Sequence, residues 1–388
     1  MLQRRQHNAF INRFRWTLRA QHVFGVSTLT IDNKGKVHSG GVAPKLILTT
    51  LGFCILLSVW LIYQNNETAF VCKNNVKGVG LFYYFVIMET IITISFNLLC
   101  TIRISWRSSQ KSLAHCWEQL IGKMQEMEVM YRLSVESKRM FVFFWMWLLV
   151  LSISYGFFLT YVVLSSTILF IVQTNHYILY GMRIYSYLSD STVSASFALF
   201  ALLLRNLIRE IQELLRKTNV DEKLLRSIIQ LYRHILQIIE CFCAIYGWVL
   251  LLIFFEHFLI LTDRSFFAIR MYRMPVGFTM GNMISTLSTW ILPLFLNDML
   301  LIGACTAAEE ALHALEKQLC SIGKATVANG DDDLTFMATS FSLYVANRKP
   351  KFRILKSINL NFNMLYGICG VIVTYMTVFL QFDNGSTF

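Results

Sequence analysis

The chain has little charge and little proline for its length. Only 15% of its 388 residues are Asp, Glu, Lys or Arg and four are proline, against 55% hydrophobic residues. A soluble protein of this size folds as two or three domains with charged surfaces, so this composition excludes that class and points to a bilayer. No signal peptide is expected in MLQRRQHNAFINRFRWTLRAQ, which is basic and polar, with no short apolar core and no small-residue cleavage site. Of nine cysteines only Cys72 falls in a segment assigned below to the exterior, so no exterior disulfide forms within one chain. Cys241 and Cys243 stand two ligands short of a structural metal site. No nucleophile, base and metal ligands converge in any span, so neither an enzyme nor a cofactor is expected.

What the chain does have is apolar length. Seven stretches of roughly 18 residues or more carry almost no charge, as a bilayer core about 30 Å thick requires of a helix. They are 45–63, 79–101, 140–163, 184–204, 238–262, 277–303 and 358–382. The expected fold class is an all-α membrane protein with seven transmembrane helices, and 164–183 is apolar enough to hold a short interfacial helix as well. Lys and Arg gather in cytoplasmic loops. They number eight in the N-terminal segment and seven in each of 102–139, 205–237 and 304–357, but two, one, three and none in the alternating segments. The N-terminus is therefore expected inside and the C-terminus outside. The net charge of +12 orients the chain in the lipid bilayer and does not mark nucleic acid as a partner. Sequons at Asn66 and Asn384 fall in the exterior segments and are candidate glycosylation sites.

The helical pattern continues past the membrane. CTAAEEALHALEKQLCSIG extends the sixth span, with Leu312, Leu315 and Leu319 on one stripe and Glu309, Glu316 and Lys317 elsewhere. A continuous helix over 277–322 is roughly 69 Å long at about 1.5 Å per residue, more than twice the bilayer core. Segments 111–139, 205–237 and 335–347 have the same mixture, which predicts a helical cytoplasmic bundle made from the stalks of several spans. The acidic NGDDDL at 329–334 lacks the alternating ligands and the glutamate of an EF-hand loop and reads as a solvated break.

The last span carries polar groups in an unusual pattern. Gly367, Val371, Thr374, Val378 and Gln381 follow spacings of four, three, four and three, so they share one helical face. Tyr375, Phe379 and Phe382 take the adjoining face, where bulky rings pack against neighbouring spans or subunits. Periodicity alone leaves two readings: the stripe lines a pore, or Gln381 marks the membrane boundary and Val378 faces lipid.

Thr374 and Tyr375, five mostly hydrophobic residues, then Gln381 and Phe382 stand a few residues from the end of the chain. On that motif, in a chain of this length and inverted topology, the sequence resembles an insect gustatory receptor, in the superfamily that also contains the insect odorant receptors. Thr377 is the one departure from a hydrophobic middle. The resemblance implies a ligand-gated, non-selective cation channel, assembled as a homo- or heterotetramer in the plasma membrane of gustatory neurons. Its partners are then a small-molecule tastant, permeant cations and sibling subunits. The breadth of that branch of the family favours bitter or other aversive compounds, with sugars and other chemosensory ligands as the alternative.

The same resemblance divides the chain into a cytoplasmic segment 1–44, spans one to six with their extensions over 45–304, a cytoplasmic loop with anchor helices over 305–357, a pore-lining helix 358–382 and an extracellular end 383–388. It puts Val371, Thr374, Val378 and Gln381 on the pore, with Val378 a hydrophobic constriction and Gln381 an amide ring one turn above it. Asp383 either gathers cations at the mouth or is an ordinary exposed aspartate. The ligand is expected in the outer half of the second to sixth spans.

An ionised carboxylate at bilayer depth costs about 2.5–3.5 kcal/mol on insertion scales, so it faces a cavity or a partner. Glu89, near the centre of the second span, is such a residue and reads as a pocket group or a packing group. The outer halves also bring Tyr83, Tyr84, Tyr155, Tyr161, Tyr187, Asp190, Trp248, His257, Asn282 and Trp290. Aromatics with a few polar groups cradle a sugar face or an apolar bitter compound, though each of these also reads as a core or interface anchor. Asp298, towards the inner end of the sixth span, is expected in the cytoplasmic packing. A G-protein-coupled receptor is the rival reading, but it needs its N-terminus outside, against the charge count. Neither Asp/Glu-Arg-Tyr after the third span nor Asn-Pro-x-x-Tyr in the seventh is present. A secondary transporter is usually marked by an internal repeat and broken helices, and neither is found.

Overall fold

The computed structural model describes the backbone of residues 2–24, 27–32, 36–39, 50, 52–55, 57, 79–131, 138–169, 174–217, 222–273, 291–328, 332–348 and 351–385. Within these, the side chains at 2–10, 79–90, 127–131, 157–169, 174–180, 267–273, 323–334, 379–380 and 382–385, and at a few single positions, are outside the description. In chain order the elements are α1 (Leu2–Val23), β1 (Leu29–Ile31), β2 (Val37–Ser39), α2 (Val79–Ser105), α3 (Arg107–Tyr131), α4 (Lys138–Leu169) and α5 (Thr174–Lys217). There follow α6 (Glu222–Arg273), α7 (Leu292–Ala328), α8 (Asp332–Asn347), β3 (Arg353–Ile354), β4 (Ile358–Asn359) and α9 (Phe362–Gly385).

Proline removes an amide donor and clashes with the preceding turn, so it interrupts helices. Here Pro293 is the second residue of α7, while Pro275 and Pro350 come after α6 and α8 have ended. The helices between run long: α6 has 52 residues, about 78 Å at roughly 1.5 Å per residue, and α5 has 44. Both carry a span and its stalk without interruption.

Among the described residues, four helices are long and apolar enough to cross a membrane, at Arg139–Gly156, Ile184–Lys217, Glu222–Phe266 and Leu292–Ile322, with shorter apolar stretches at Ile91–Ile104 and Phe362–Val378. These overlap six of the expected spans in part; most of 45–63, and residues 277–290 of the sixth, lie outside the described residues. On α4, Val142, Trp145, Met146, Leu149 and Ile153 are exposed at helical spacing. Such a stripe is the face a helix presents to lipid or to another chain.

The stalks pack as the sequence pattern predicts. Leu312, Leu315 and Leu319 of α7 are buried beside Leu207, Ile208 and Ile211 of α5, and Gln212 clamps the pair. Its Nε2 donates to the Ala311 carbonyl at 2.8 Å, while Gln318 Nε2 donates to the Gln212 carbonyl at 3.2 Å. Glu316, expected off the apolar stripe, is buried instead. It can be, because the Tyr232 hydroxyl donates to one carboxylate oxygen and His313 Nδ1 lies 2.8 Å from the other.

The basic N-terminal segment also joins the bundle. Ile11, Phe14 and Leu18 of α1 are buried, with the Phe14 ring 4.7 Å from that of Trp117. Trp117 in turn meets Phe200 and Phe242 edge-on, and those two stack at 3.7 Å. Phe14 also lies edge-on to Phe141 of α4, and Gln21 Nε2 donates to Ser196 Oγ at 2.8 Å, so α1 is held by α3, α4 and α5 beside one aromatic core.

Two small antiparallel hairpins depart from the all-α expectation, β1–β2 and β3–β4. The second turns through Leu355 and Lys356 with φ of 51° and 63°, closed by Ser357 N donating to the Ile354 carbonyl at 3.1 Å. It lies against α6 so closely that a Cβ on Gly247 would sit 3.1 Å from the Leu355 nitrogen. Phe352, buried against Phe197, fixes the hairpin from below, and its amide donates to Glu309 Oε1 at 2.6 Å.

Candidate functional site

Five helices bring polar side chains to one buried place. From α2, Asn97 Nδ2 donates to Asp190 Oδ1 and to the Ser186 carbonyl of α5, each at 3.2 Å. From α4, Tyr155 stacks on Tyr187 of α5 with centroids 5.5 Å apart, and Trp147 Nε1 donates to Asn297 Oδ1 of α7 at 3.2 Å. From α6, His257 Nδ1 lies 2.8 Å from Asp298 Oδ1 of α7, and Glu256, beside it, neighbours Asp190. All of these side chains are buried.

Asn297 and Asp298 are consecutive, about 100° apart around α7, which lets one reach α4 and the other α6. Three carboxyl-bearing residues withdrawn from water are costly unless they are paired or face a polar occupant. The arrangement is therefore a buried polar core whose side chains pair with one another across the helices.

The structure brings together Tyr155, Tyr187, Asp190 and His257 from the candidate pocket residues. Trp248 is not with them: it is 50% exposed, on the outside of α6. Tyr83, Tyr84, Glu89 and Tyr161 lie on α2 and α4 with side chains outside the described residues, and Asn282 and Trp290 lie wholly outside them. Asn66 is outside them too, and Asn384 falls in the last turn of α9 with its side chain likewise outside. Asp298 needs correction, since it packs against His257 and not in the stalks. Phe258, next to His257, meets Tyr375 with ring centroids 6.0 Å apart, so this pair sits level with the middle of α9. A charge-free window fixes a span only to a turn or two, because the stalk begins with apolar residues of its own. Of the two cysteines weighed as metal ligands, Cys241 turns to Cys116 of α3 while Cys243 is buried on its own side of α6.

Asn97, Glu256 and Asn297 were not singled out from the sequence. A signal existed for the first: Thr93, Asn97 and Thr101 follow Glu89 at intervals of four, and all three are buried. Glu256 carried the same signal as Glu89, a carboxylate inside an expected span, whereas Asn297 is uncharged and no spacing distinguishes it.

α9 is two-faced. Leu365 is buried and Ile368 and Ile372 pack against the hydrophobic core, which reaches α9 from α6 and α7. Gly367, Val371, Thr374, Val378 and Gln381 are exposed on the other side, Val378 at 38%. The Thr374 hydroxyl donates to the Gly370 carbonyl at 2.9 Å and that of Thr377 to Val373 at 2.8 Å. Each hydroxyl is thus satisfied by its own helix, as a threonine in an apolar setting must be. Tyr375 turns towards α6, whereas the side chains of Phe379, Phe382 and Asp383 are outside the described residues.

A family model described as 7tm Chemosensory receptor matches residues 14–384. No curated protein matches the chain in sequence. Among solved structures, the insect olfactory receptor OR5 from Machilis hrabei is similar at a TM-score of 0.65 and 14% identity, over 96% of this chain and 99% of that one. The same receptor in complex with eugenol gives 0.63 and 15% over the same shares. At these identities the likeness is one of fold.

Proposed function

Because the chain belongs to the 7tm chemosensory receptor family, we propose that it is a gustatory receptor: a tastant-gated, non-selective cation channel with seven spans, its N-terminus inside and four subunits around a pore lined by α9. The observation that carries this reading is the two-sidedness of α9. One face, with Val371, Thr374, Val378 and Gln381, is left open for a pore or a sibling subunit. The other packs on α6, the helix that also holds Glu256 and His257.

A small molecule seated near Tyr155, Tyr187 and Asp190 shifts the hydrogen bonds of the polar core, and α6 passes the change to α9 through Phe258 and Tyr375. The stacked tyrosines supply an aromatic wall and the Asn97–Asp190 pair a polar one, which suits an aromatic ligand with a few polar groups. The eugenol complex of the similar olfactory receptor supports this ligand type, and bitter compounds come first as candidates.

The test is expression in cells without added G proteins. A panel of bitter compounds, phenols such as eugenol, and sugars should include at least one agonist that evokes a cation current within milliseconds. An epitope added after Phe388 should be reached by antibody without permeabilisation. Currents abolished by blocking G-protein coupling, or an unreachable tag, would overturn the channel or the orientation respectively.

A further inference from the structure

At the inner end of the apolar part of α6 the chain forms a half-open cleft of about 630 Å³, a size typical of small-molecule sites. Leu236, Ile239 and Ala244 of α6 form an apolar wall, and Arg348, Lys351, Arg353 and Lys356 supply cations from the segment that joins α8 to α9. Glu240 is the one carboxylate in the lining, and Arg348 occupies it: Nε donates to Oε1 at 3.0 Å and a second nitrogen to Oε2. The next carboxylate, Glu309, lies near Lys351 and Arg353 and accepts the Phe352 amide. Four cations against two carboxylates leave positive charge facing the cavity. Arg353 Nε donates to Asn359 Oδ1 at 3.2 Å, so the guanidinium is braced and its remaining N–H groups stay available.

The depth of the cavity follows from two contacts. Phe258 meets Tyr375, and Gly247 abuts Leu355, so α6 and the 355–375 chain run side by side. Residues 236–244 then lie level with the hairpin, just outside the start of apolar α9 at Phe362. An apolar wall beside a cationic one at that level matches an amphiphile with a phosphate head.

We propose that this cavity binds the phosphorylated headgroup of an anionic phospholipid, with Lys351, Arg353 and Lys356 contacting phosphate oxygens and the apolar wall of α6 taking the start of the acyl chains. With the orientation proposed above, the lipid comes from the inner leaflet. Headgroup binding ties α6 to the hairpin that leads into α9, so lipid occupancy sets how freely the pore helix moves against α6. A free organic phosphate offers the same head without the tail, and the test separates the two.

Full-length protein is purified in detergent and mixed with micelles carrying a short-chain phosphatidylinositol bisphosphate, or phosphatidylcholine, or with the free inositol phosphate. Native mass spectrometry reads bound lipid, and thermal unfolding reads stabilisation. The anionic lipid should be retained and the neutral one lost. Lys351→Gln with Lys356→Gln should weaken the apparent affinity about twenty-fivefold, at roughly fivefold for each lysine, while Arg348 and its ion pair are untouched. If that double variant yields no monodisperse protein, Lys356→Gln alone, an exposed turn residue, should still lose about fivefold. Equal retention of the neutral lipid, or unchanged affinity in the variants, would overturn the site. Full competition by the free inositol phosphate would overturn the lipid as its occupant. Retention in micelles does not depend on which leaflet the cavity faces, so an inverted topology would fail the epitope experiment and leave this one intact.

Discussion

His257 and Asp298 share a 2.8 Å hydrogen bond with both side chains buried, and the bond joins α6 to α7 beside the middle of α9. Because both partners are out of water, truncating one strands the other. Asp298→Ala or His257→Ala should therefore each cost about 1–3 kcal/mol. The double variant should cost less than the sum, with a coupling of about 0.5–3 kcal/mol. Thermal unfolding of the four proteins in one detergent gives the cycle. Strict additivity would show that the two side chains do not act as a pair.

The two faces of α9 make opposite predictions for thiol chemistry. Val378→Cys and Gln381→Cys should react with a charged, membrane-impermeant thiol reagent from outside, faster when agonist is present, and the reaction should alter the current. Ile372→Cys, on the face packed in the core, should react slowly and without effect on conduction. Equal reactivity of Val378→Cys and Ile372→Cys would mean that the stripe faces lipid, the other reading its periodicity allows. A pore constriction of this type depends on a hydrophobic ring giving way to a hydrated one, so modification at Val378 should change conductance more than modification at Gly367.

How much of this was readable beforehand differs by element. The stalks were, because Leu312, Leu315 and Leu319 repeat with helical spacing and nothing breaks the chain between span and stalk. The shared exposed face of Gly367, Val371, Thr374, Val378 and Gln381 was, because they repeat at helical spacing in an otherwise apolar run. Helix α1 was not, although Ile11, Phe14 and Leu18 sit at helical spacing, since a basic segment ahead of a first span looks like a topology signal and its buried stripe is narrow. The polar core was half readable: Asp190 and His257 stand out in apolar surroundings, but which helices they meet depends on packing that no single span encodes. The β3–β4 hairpin could not be foreseen, since Leu355 and Lys356 occupy left-handed positions that usually call for Asn or Gly.

That hairpin depends on a residue more than a hundred positions away. A side chain on Gly247 would come within 3.1 Å of the Leu355 nitrogen, and a backbone atom cannot swing aside as a side chain can. Gly247→Ala should push β3–β4 off α6 and cost about 1–3 kcal/mol, as overpacking does. Since the hairpin feeds directly into α9, the agonist concentration for half-maximal current should shift as well. Melting temperature and dose response measured together test this. A variant that lost neither would show that the hairpin has room to move.

Phe14 and Trp16, two residues apart on α1, separate burial from hydrophobicity as the cause of its docking. Phe14 is fully buried, touching Trp117 and within aromatic range of Phe141. Trp16 is larger but 57% exposed, with Arg19 lying 4.8 Å over its ring. Removing a buried ring forfeits its transfer energy and leaves a cavity, so Phe14→Ala should cost about 3–5 kcal/mol. Trp16→Ala should stay within about 0.5 kcal/mol, as exposed substitutions usually do. If α1 is a working part of the bundle, Phe14→Ala should also lower the surface-expressed fraction, while Trp16→Ala leaves it near that of the parent chain. Limited proteolysis gives the third readout: cleavage within α1 should accelerate in Phe14→Ala alone, and equal rates in the two variants would place α1 outside the folded core.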